Sequence, residues 1–315
     1  LPNFLTQARA SEHLAAIDLG SNAMRAIIVK KTSSGLEVVK SVREPLRLGE
    51  DVFSKGKITS EKMLQTEEAF INLLHLFTEY EVTKIKAMAT SAMRDAKNGK
   101  ELHQNILNST GIDVQTISGT LEAATIFEAV KYQISLKNKV AVLMDIGGGS
   151  TELTIVVDEQ ILATESFNVG TVRLLRYKTA ADLELRINLQ QQKMFRFLKD
   201  NISLKKIDTF VGTGGNLRRI GKIRKKILGL GSEMCSFSEI THMEEAISRM
   251  SFVDRIRSLE LDQNRADVIL PAIMITQHIM KELKLDKILL PKAGLKEGII
   301  LSMLDEKPKK FKLND

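Results

Sequence analysis

One pattern that occurs twice constrains this chain more than any other feature of its sequence. At residues 140–157 an apolar run of strand length reaches Asp145, breaks into Gly147, Gly148 and Gly149 with Ser150 and Thr151, and resumes as a β-rich run. At residues 14–29 the order repeats: an apolar run, Asp18, one apolar residue, Gly20, Ser21 and Asn22, then a β-rich run from Met24. Each reads as a β-hairpin with a glycine at its tip. Glycine permits positive φ and lets backbone N–H groups approach an anion without an intervening Cβ, while the hydroxyls add donors. Asp145 and Glu152 bracket the second tip, and carboxylates beside a phosphate repel it unless a hard, oxygen-liganded cation such as Mg²⁺ lies between them. A single tip of this kind also fits an ordinary tight hairpin. The second copy points instead to two related α/β halves facing across a cleft, holding adjacent phosphoryl groups from opposite sides.

A chain of 315 residues is long enough for two domains. It has no apolar run of membrane-spanning length, and residues 1–11 lack a signal-peptide core, so the expected location is cytoplasmic, with no membrane partner. A single cysteine, Cys235, excludes an intramolecular disulfide framework. The five histidines form no metal-binding pattern, which argues against zinc chemistry. The net charge of +7 and pI near 9.3 favour an anionic partner. With Trp 0 and Tyr 3, base-stacking platforms are not supported, and no specific nucleic-acid partner is expected.

Between the two hairpins, residues 35–42 read as a third strand of a meander, leading into a loop at 47–50. Ser60 caps a helix to about Tyr80, with Met63, Phe70, Leu73, Leu74 and Phe77 as its core stripe. A strand at 84–89 ends at Thr90 and Ser91, which open a short helix. Arg94 on that helix suits either a phosphate clamp or a solvated surface. After a strand at 113–117, Thr120 is positioned to cap a helix whose first turn holds Glu122, where a carboxylate serves either the helix dipole or acid–base chemistry. Beyond the second hairpin come a strand at 160–167, a charged amphipathic helix at 182–200 and a strand at 207–211. That last strand enters Gly212, Thr213, Gly214 and Gly215, a third glycine-rich turn before a helix N-terminus and a natural anion site. It is neither a dinucleotide fingerprint nor a P-loop, since Leu217 stands at the last glycine position and no Gly-Lys-Ser/Thr follows. The basic run Arg218, Arg219, Lys222, Arg224, Lys225 and Lys226 reads as a channel for a long polyanion or as a solvated helix face. From about residue 238 the chain is mostly helical, with an edge strand at 287–290 and a frayed tail at 307–312.

Six segments in this order, residues 17–22, 89–96, 117–123, 145–153, 211–215 and 293–298, resemble the motifs of the exopolyphosphatase/guanosine pentaphosphate phosphatase (Ppx/GppA) family. The resemblance runs from about residue 14 to residue 304. It implies the duplicated actin-like fold of the sugar kinase/actin superfamily, with two ribonuclease H-like α/β lobes around a central cleft. The expected lobes are residues 1–127, carrying the first phosphate loop, and 128–315, carrying the second, with the last helix packing back toward the first lobe. The resemblance also implies that Glu122 is the general base that prepares water for attack on a terminal phosphorus. Asp145, Glu152 and Asp18 match positions associated with the divalent metal, Mg²⁺ or Mn²⁺. Ser21, Asn22, Arg25, Arg94, Gly147, Gly148, Gly149, Ser150, Thr151, Gly212, Gly214 and Gly215 fall at phosphate-binding positions.

Two departures stand out. Ala23 replaces a serine common in the family, and Thr120 and Leu121 stand where many relatives are acidic, which thins the carboxylate cluster around Glu122. The chain reads as a short form without the C-terminal HD-type domain of long relatives. The expected activity is release of terminal orthophosphate from inorganic polyphosphate, or conversion of pppGpp to ppGpp, by a metal-dependent homodimer. The alternatives are a non-catalytic polyphosphate or alarmone sensor and an ATP-dependent small-molecule kinase of the same fold.

Overall fold

The structure, a computed structural model, describes residues 12–177, 179–304 and 311–312. The first hairpin is β1 (His13–Leu19) and β2 (Met24–Thr32), extended by β3 (Gly35–Glu44) into an antiparallel meander. Helices α1 (Leu48–Lys55) and α2 (Ser60–Glu79) carry the chain over to β4 (Val82–Ala89), which pairs parallel to β1. Then come α3 (Ser91–Asp95), α4 (Gly99–Thr110), β5 (Val114–Thr116) and α5 (Gly119–Gln133). The second hairpin repeats the plan. β6 (Val140–Ile146), β7 (Thr151–Val157) and β8 (Gln160–Phe167) form a meander, and α6 (Thr171–Leu174) and α7 (Ala180–Asn201) lead to β9 (Thr209–Thr213), parallel to β6. The remainder is α8 (Gly214–Leu228), β10 (Met234–Ser236), α9 (Phe237–Ser248), α10 (Phe252–Leu259), α11 (Gln263–Ala266), α12 (Ile269–Leu283), β11 (Lys287–Leu289), α13 (Leu295–Leu301) and β12 (Phe311–Lys312).

The two sheets have the orders β12-β3-β2-β1-β4-β5 and β10-β11-β9-β6-β7-β8. Each contains a three-stranded meander whose first strand pairs in parallel with the strand after the helical crossover. This is the duplicated actin-like fold. Residues 14–19 of β1 and 141–144 of β6 are buried throughout, as expected of central strands covered on both faces. One core, including Ile17, Leu19, Phe70, Leu73 and Leu102, fills the outer side of the first sheet; another, including Met144, Ile155, Phe210 and Ile273, fills that of the second.

A third core joins the sheets. It combines Leu14, Ala16 and Ile27 with Leu143 and Val211, and inserts α5 and α13 between them through Ile126, Phe127, Ile299 and Ile300. The expected boundary between residues 127 and 128 therefore falls inside α5, a helix that both sheets share. The crossing of α5 and α13 requires a glycine: a Cβ on Gly298 would stand 2.0 Å from the Thr125 carbonyl oxygen. Gly298→Val is expected to force the helices apart and destabilise the chain by about 3 kcal/mol, read as a lowered denaturation midpoint with an unchanged slope.

Several local expectations change in the structure. Residues 48–50 are the first turn of α1 rather than a loop, because Arg47 takes a left-handed conformation (φ 51°) that starts the helix there. Thr59 rather than Ser60 occupies the N-cap of α2. Ser118 rather than Thr120 caps α5, its hydroxyl accepting from the Leu121 N–H at 3.1 Å. β11 is not an edge strand, since β10 pairs along its outer side. In the tail, Phe311 and Lys312 pair with Leu36 and Glu37 instead of fraying, while residues 307–310, like residues 1–11, lie outside the described residues. Among the described residues no helix is long and apolar enough to cross a membrane.

Candidate active site

Both hairpin tips open into one narrow cleft. It is lined by Asp18, Ser21, Asn22 and Arg25 from the first hairpin and by Asp145, Gly147, Gly148 and Ser150 from the second. Gly214 and Gly215 at the start of α8, and Glu122 in the first turn of α5, complete the set of expected residues in the lining. The tips abut: a Cβ on Gly148 would stand 3.1 Å from the Ser21 Cβ. Gly214 has φ +82°, and a Cβ there would come within 2.4 Å of an Asp145 carboxylate oxygen, so this turn accepts only a bare backbone.

The two hairpins differ where their chemistry differs. Asp18 lies opposite Arg25 across β1 and β2, seven residues apart in sequence; Asp145 lies opposite Glu152 across β6 and β7 at the same spacing. In the first hairpin the pair is a salt bridge, with Arg25 Nη1 donating to Asp18 Oδ2 at 3.0 Å. In the second, two carboxylates face each other, an arrangement that disfavours strand pairing on its own.

Glu122, Asp145 and Glu152 each bring a carboxylate oxygen to within 4.8 Å of the others. Thr213 Oγ1 donates to Asp145 Oδ1 at 2.8 Å, and Ser166 Oγ donates to Glu152 Oε1 at 2.7 Å. Glu122 Oε2 and Glu152 Oε2 are buried and have no hydrogen-bond partner. Removal from water, reinforced by the neighbouring carboxylates, pushes Glu122 well above the usual carboxylate range, although a helix first turn would ordinarily favour its charge. Removal from water also raises Asp145 to about 6 and Glu152 to about 7, against the lowering effect of their hydroxyl donors. Three clustered carboxyls with two orphaned oxygens fit a hard divalent cation, which takes oxygen ligands and compensates charge of this kind.

Other expected residues lie apart from this group. Asp18 lines the cleft but pairs with Arg25 outside the carboxylate trio. Thr151 is fully buried, and its hydroxyl donates to the Val169 carbonyl oxygen at 2.6 Å. Gly212 lies in β9 beneath Ile288, Leu290 and Leu217, where its missing side chain makes room for the core. Gly149 packs toward Phe53 and Ser91. Arg94 is outside the cleft lining; its Nη1 donates to the Ile117 carbonyl oxygen at 2.6 Å, and its charge lowers the pKa of both Glu122 and Glu152.

The basic run on α8 divides in two. Arg224 is held by Glu239 through bonds of 2.8 and 2.7 Å, and Lys226 pairs with Glu260. By contrast, Arg219 and Lys222 join Arg43 and Arg265 in a cationic cluster near Arg25. Burial and its cationic neighbours push Arg265 down to about 9, with Asp262 opposing them. Arg43 lies on β3 and Arg265 on α11, far apart in sequence, so neither stood out there. Thr90, Ser91 and Asn216 also line the cleft. Ser91 Oγ lies 2.9 Å from Ser21 Oγ, and Asn216 Nδ2 donates to the Ile146 carbonyl oxygen at 2.7 Å.

Comparison with known proteins gives this geometry a context. The model of the Ppx/GppA phosphatase family matches residues 27–307. The chain belongs to the Ppx/GppA phosphatase family. Among curated Ppx/GppA relatives, it is 25% identical over 306 residues to Exopolyphosphatase 1 of Mycobacterium tuberculosis, covering 93% of this chain and 88% of the relative. It is also 25% identical to the guanosine-5'-triphosphate,3'-diphosphate pyrophosphatase of Vibrio parahaemolyticus, covering 96% of this chain but only 61% of that longer protein. Two solved structures share the fold. The exopolyphosphatase of Cytophaga hutchinsonii matches with a TM-score of 0.84 at 23% identity, covering 93% of this chain and 98% of that one. The Aquifex aeolicus Ppx/GppA family member matches at 0.74 and 24%, with the same coverage of each chain.

Proposed function

We propose that this Ppx/GppA protein is a divalent-metal-dependent phosphohydrolase that releases terminal orthophosphate from inorganic polyphosphate or converts pppGpp to ppGpp. The observation that carries the reading is the trio of Glu122, Asp145 and Glu152, with two orphaned buried oxygens, beside two abutting glycine tips. Asp145 and Glu152 would hold Mg²⁺ or Mn²⁺, which supplies charge neutralisation at the transferring phosphoryl group. Backbone N–H groups at Gly148, Gly214 and Gly215, with the Ser21 and Ser150 hydroxyls and Asn22, would bind phosphoryl oxygens, while the Gly147 N–H closes the hairpin tip by donating to the Ser150 carbonyl oxygen. Arg25 turns toward the second lobe, where a Cβ on Gly215 would stand 2.6 Å from its Nη2, and it would neutralise charge on the terminal phosphates. Glu122 takes a proton from water as the water oxygen bonds to phosphorus; the bridging P–O bond breaks, and its electrons leave with the shortened chain. The cluster of Arg43, Arg219 and Arg265 supports a polyanionic substrate larger than a single phosphate.

The reading also has the protein act in the cytoplasm as a homodimer, with residues 1–127 and 128–315 as its two lobes. Phosphate release measured in parallel from long-chain polyphosphate, tripolyphosphate and pppGpp, with Mg²⁺ or with EDTA, tests the activity. Release that requires the metal is the expected result, and the ratio among substrates assigns the preference. No release from any of the three, with binding intact, would overturn the hydrolase reading in favour of a sensor.

A further inference from the structure

We propose that a second groove, between the α3–α4 segment and the edge strand β5, binds the portion of a phosphate chain that extends beyond the catalytic cleft. The choice of ligand rests on the phosphohydrolase reading; the groove itself rests on its own geometry. Arg94, Lys97, Lys100 and His103 recur at three-residue intervals, and all four line one groove. The opposite wall is β5, the terminal strand of its sheet, with Gln115 and Thr116 exposed along it. An unpaired strand edge offers backbone N–H donors, and these two side chains add an amide and a hydroxyl.

The charges in the groove are unbalanced. Among the described residues no carboxylate lies within ion-pair distance of Arg94, Lys97 or Lys100; the one acidic residue in the lining, Asp113, bonds to His103 at 2.8 Å. Adjacent cations without counter-charges attract a polyanion and release its counterions on binding. The cationic wall is also fixed in place. Asn98, between Lys97 and Lys100, exchanges two hydrogen bonds of 2.9 Å with the Ile58 backbone, and the Lys97 N–H donates to the Gly56 carbonyl oxygen at 3.0 Å. A Cβ on Gly99 would stand 2.5 Å from the Met93 carbonyl oxygen, so bare backbone at this position lets α4 close onto α3. The fixed backbone keeps the row of cations along one wall, while the Lys97 and Lys100 side chains stay exposed to solvent.

Arg94 ties the groove to the reaction. It lines the groove, bonds to the carbonyl of Ile117 next to the cap of α5, and acts electrostatically on Glu122 and Glu152. One end of the groove is thus set beside the catalytic carboxylates. The one aromatic ring in its lining, His103, is tied to Asp113 at 2.8 Å, and no Phe, Tyr or Trp joins it to sandwich a guanine base, so a flexible inorganic phosphate chain suits the groove better than a nucleotide.

The test is binding of long-chain polyphosphate and of tripolyphosphate to the full chain carrying Glu122→Gln, with and without Lys97→Glu and Lys100→Glu together. Long-chain affinity is expected to fall at least about tenfold and the slope of log K against log salt to become shallower. Tripolyphosphate affinity is expected to stay within about twofold, because the proposal assigns the groove only the part of a long chain that extends beyond the cleft. Lys97→Arg with Lys100→Arg keeps long-chain affinity, and unchanged melting temperatures show that all the variants fold. Long-chain binding that is absent, unaffected by charge reversal, or lost in equal proportion with tripolyphosphate binding would overturn the proposal. Absence of phosphate release by the unmodified chain would count against the hydrolase reading alone, since binding to the groove is read without turnover.

Discussion

Glu122→Gln is expected to lower metal-dependent phosphate release by about 10²- to 10⁴-fold while the protein folds and binds substrate as before. Glutamine keeps the shape of the side chain in a position only 6% exposed, so the packing of the first turn of α5 is conserved. What it removes is the capacity to accept a proton from water. It also removes one of three carboxyls crowded within 4.8 Å, so the melting temperature of the metal-free protein should stay level or rise. A purely structural Glu122 predicts the opposite pattern. A first-turn carboxylate that serves the helix dipole contributes about 0.3–1 kcal/mol of stability and nothing to the rate. Single-turnover release and a thermal melt on the same preparation separate the two, and a rate within threefold of the unmodified protein would sink the general-base role.

The fold was legible because its strongest signals are local. The two Asp-x-Gly hairpins and the turn at residues 212–215 each carry their own apolar run and their own glycine, the strand before Thr90 ends in hydroxyl residues, and each occupies its expected place. The site was legible to the extent that it is built from those tips. What the sequence does not display is how equivalent positions pair. The seven-residue spacing from Asp18 to Arg25 and from Asp145 to Glu152 is visible in the sequence, but its meaning depends on register: one pair neutralises itself and the other opposes two carboxylates. Thr151 and Gly212 sit inside phosphate-loop motifs, yet strand alternation turns them to the core, where Thr151 bonds to Val169 and Gly212 makes room for Leu290. Arg94 belongs to a motif as well, but the short α3 aims it along a neighbouring groove. Arg43 and Arg265 were hidden because 222 residues of chain separate two side chains that lie near one another in the fold.

The metal-free protein is expected to lose stability as pH rises from about 5 to about 8, and saturating Mg²⁺ to remove that loss. Asp145 is raised from 3.8 to about 6 and Glu152 from 4.5 to about 7, so in this window the folded state retains protons that the unfolded state has released. The folded state therefore gains most relative to the unfolded chain below the ordinary carboxylate values. That gain is lost as pH climbs through about 6 and then about 7, a change on the order of a few kcal/mol. Carboxylates ligate a cation only when deprotonated, so metal affinity should rise across the same interval, and the stabilisation by Mg²⁺ should grow with it. Asp145→Asn separates the two effects. It removes one charge from the crowded carboxylate trio, so metal-free stability near pH 8 should rise, while the Mg²⁺-induced shift in melting temperature and metal-dependent turnover should both collapse. If the trio only shared protons and bound no cation, Mg²⁺ would shift the melting temperature at no pH. The pH trend of the metal-free protein would persist without it, and the two orphaned oxygens of Glu122 and Glu152 would then mark a storage site for protons rather than a metal centre.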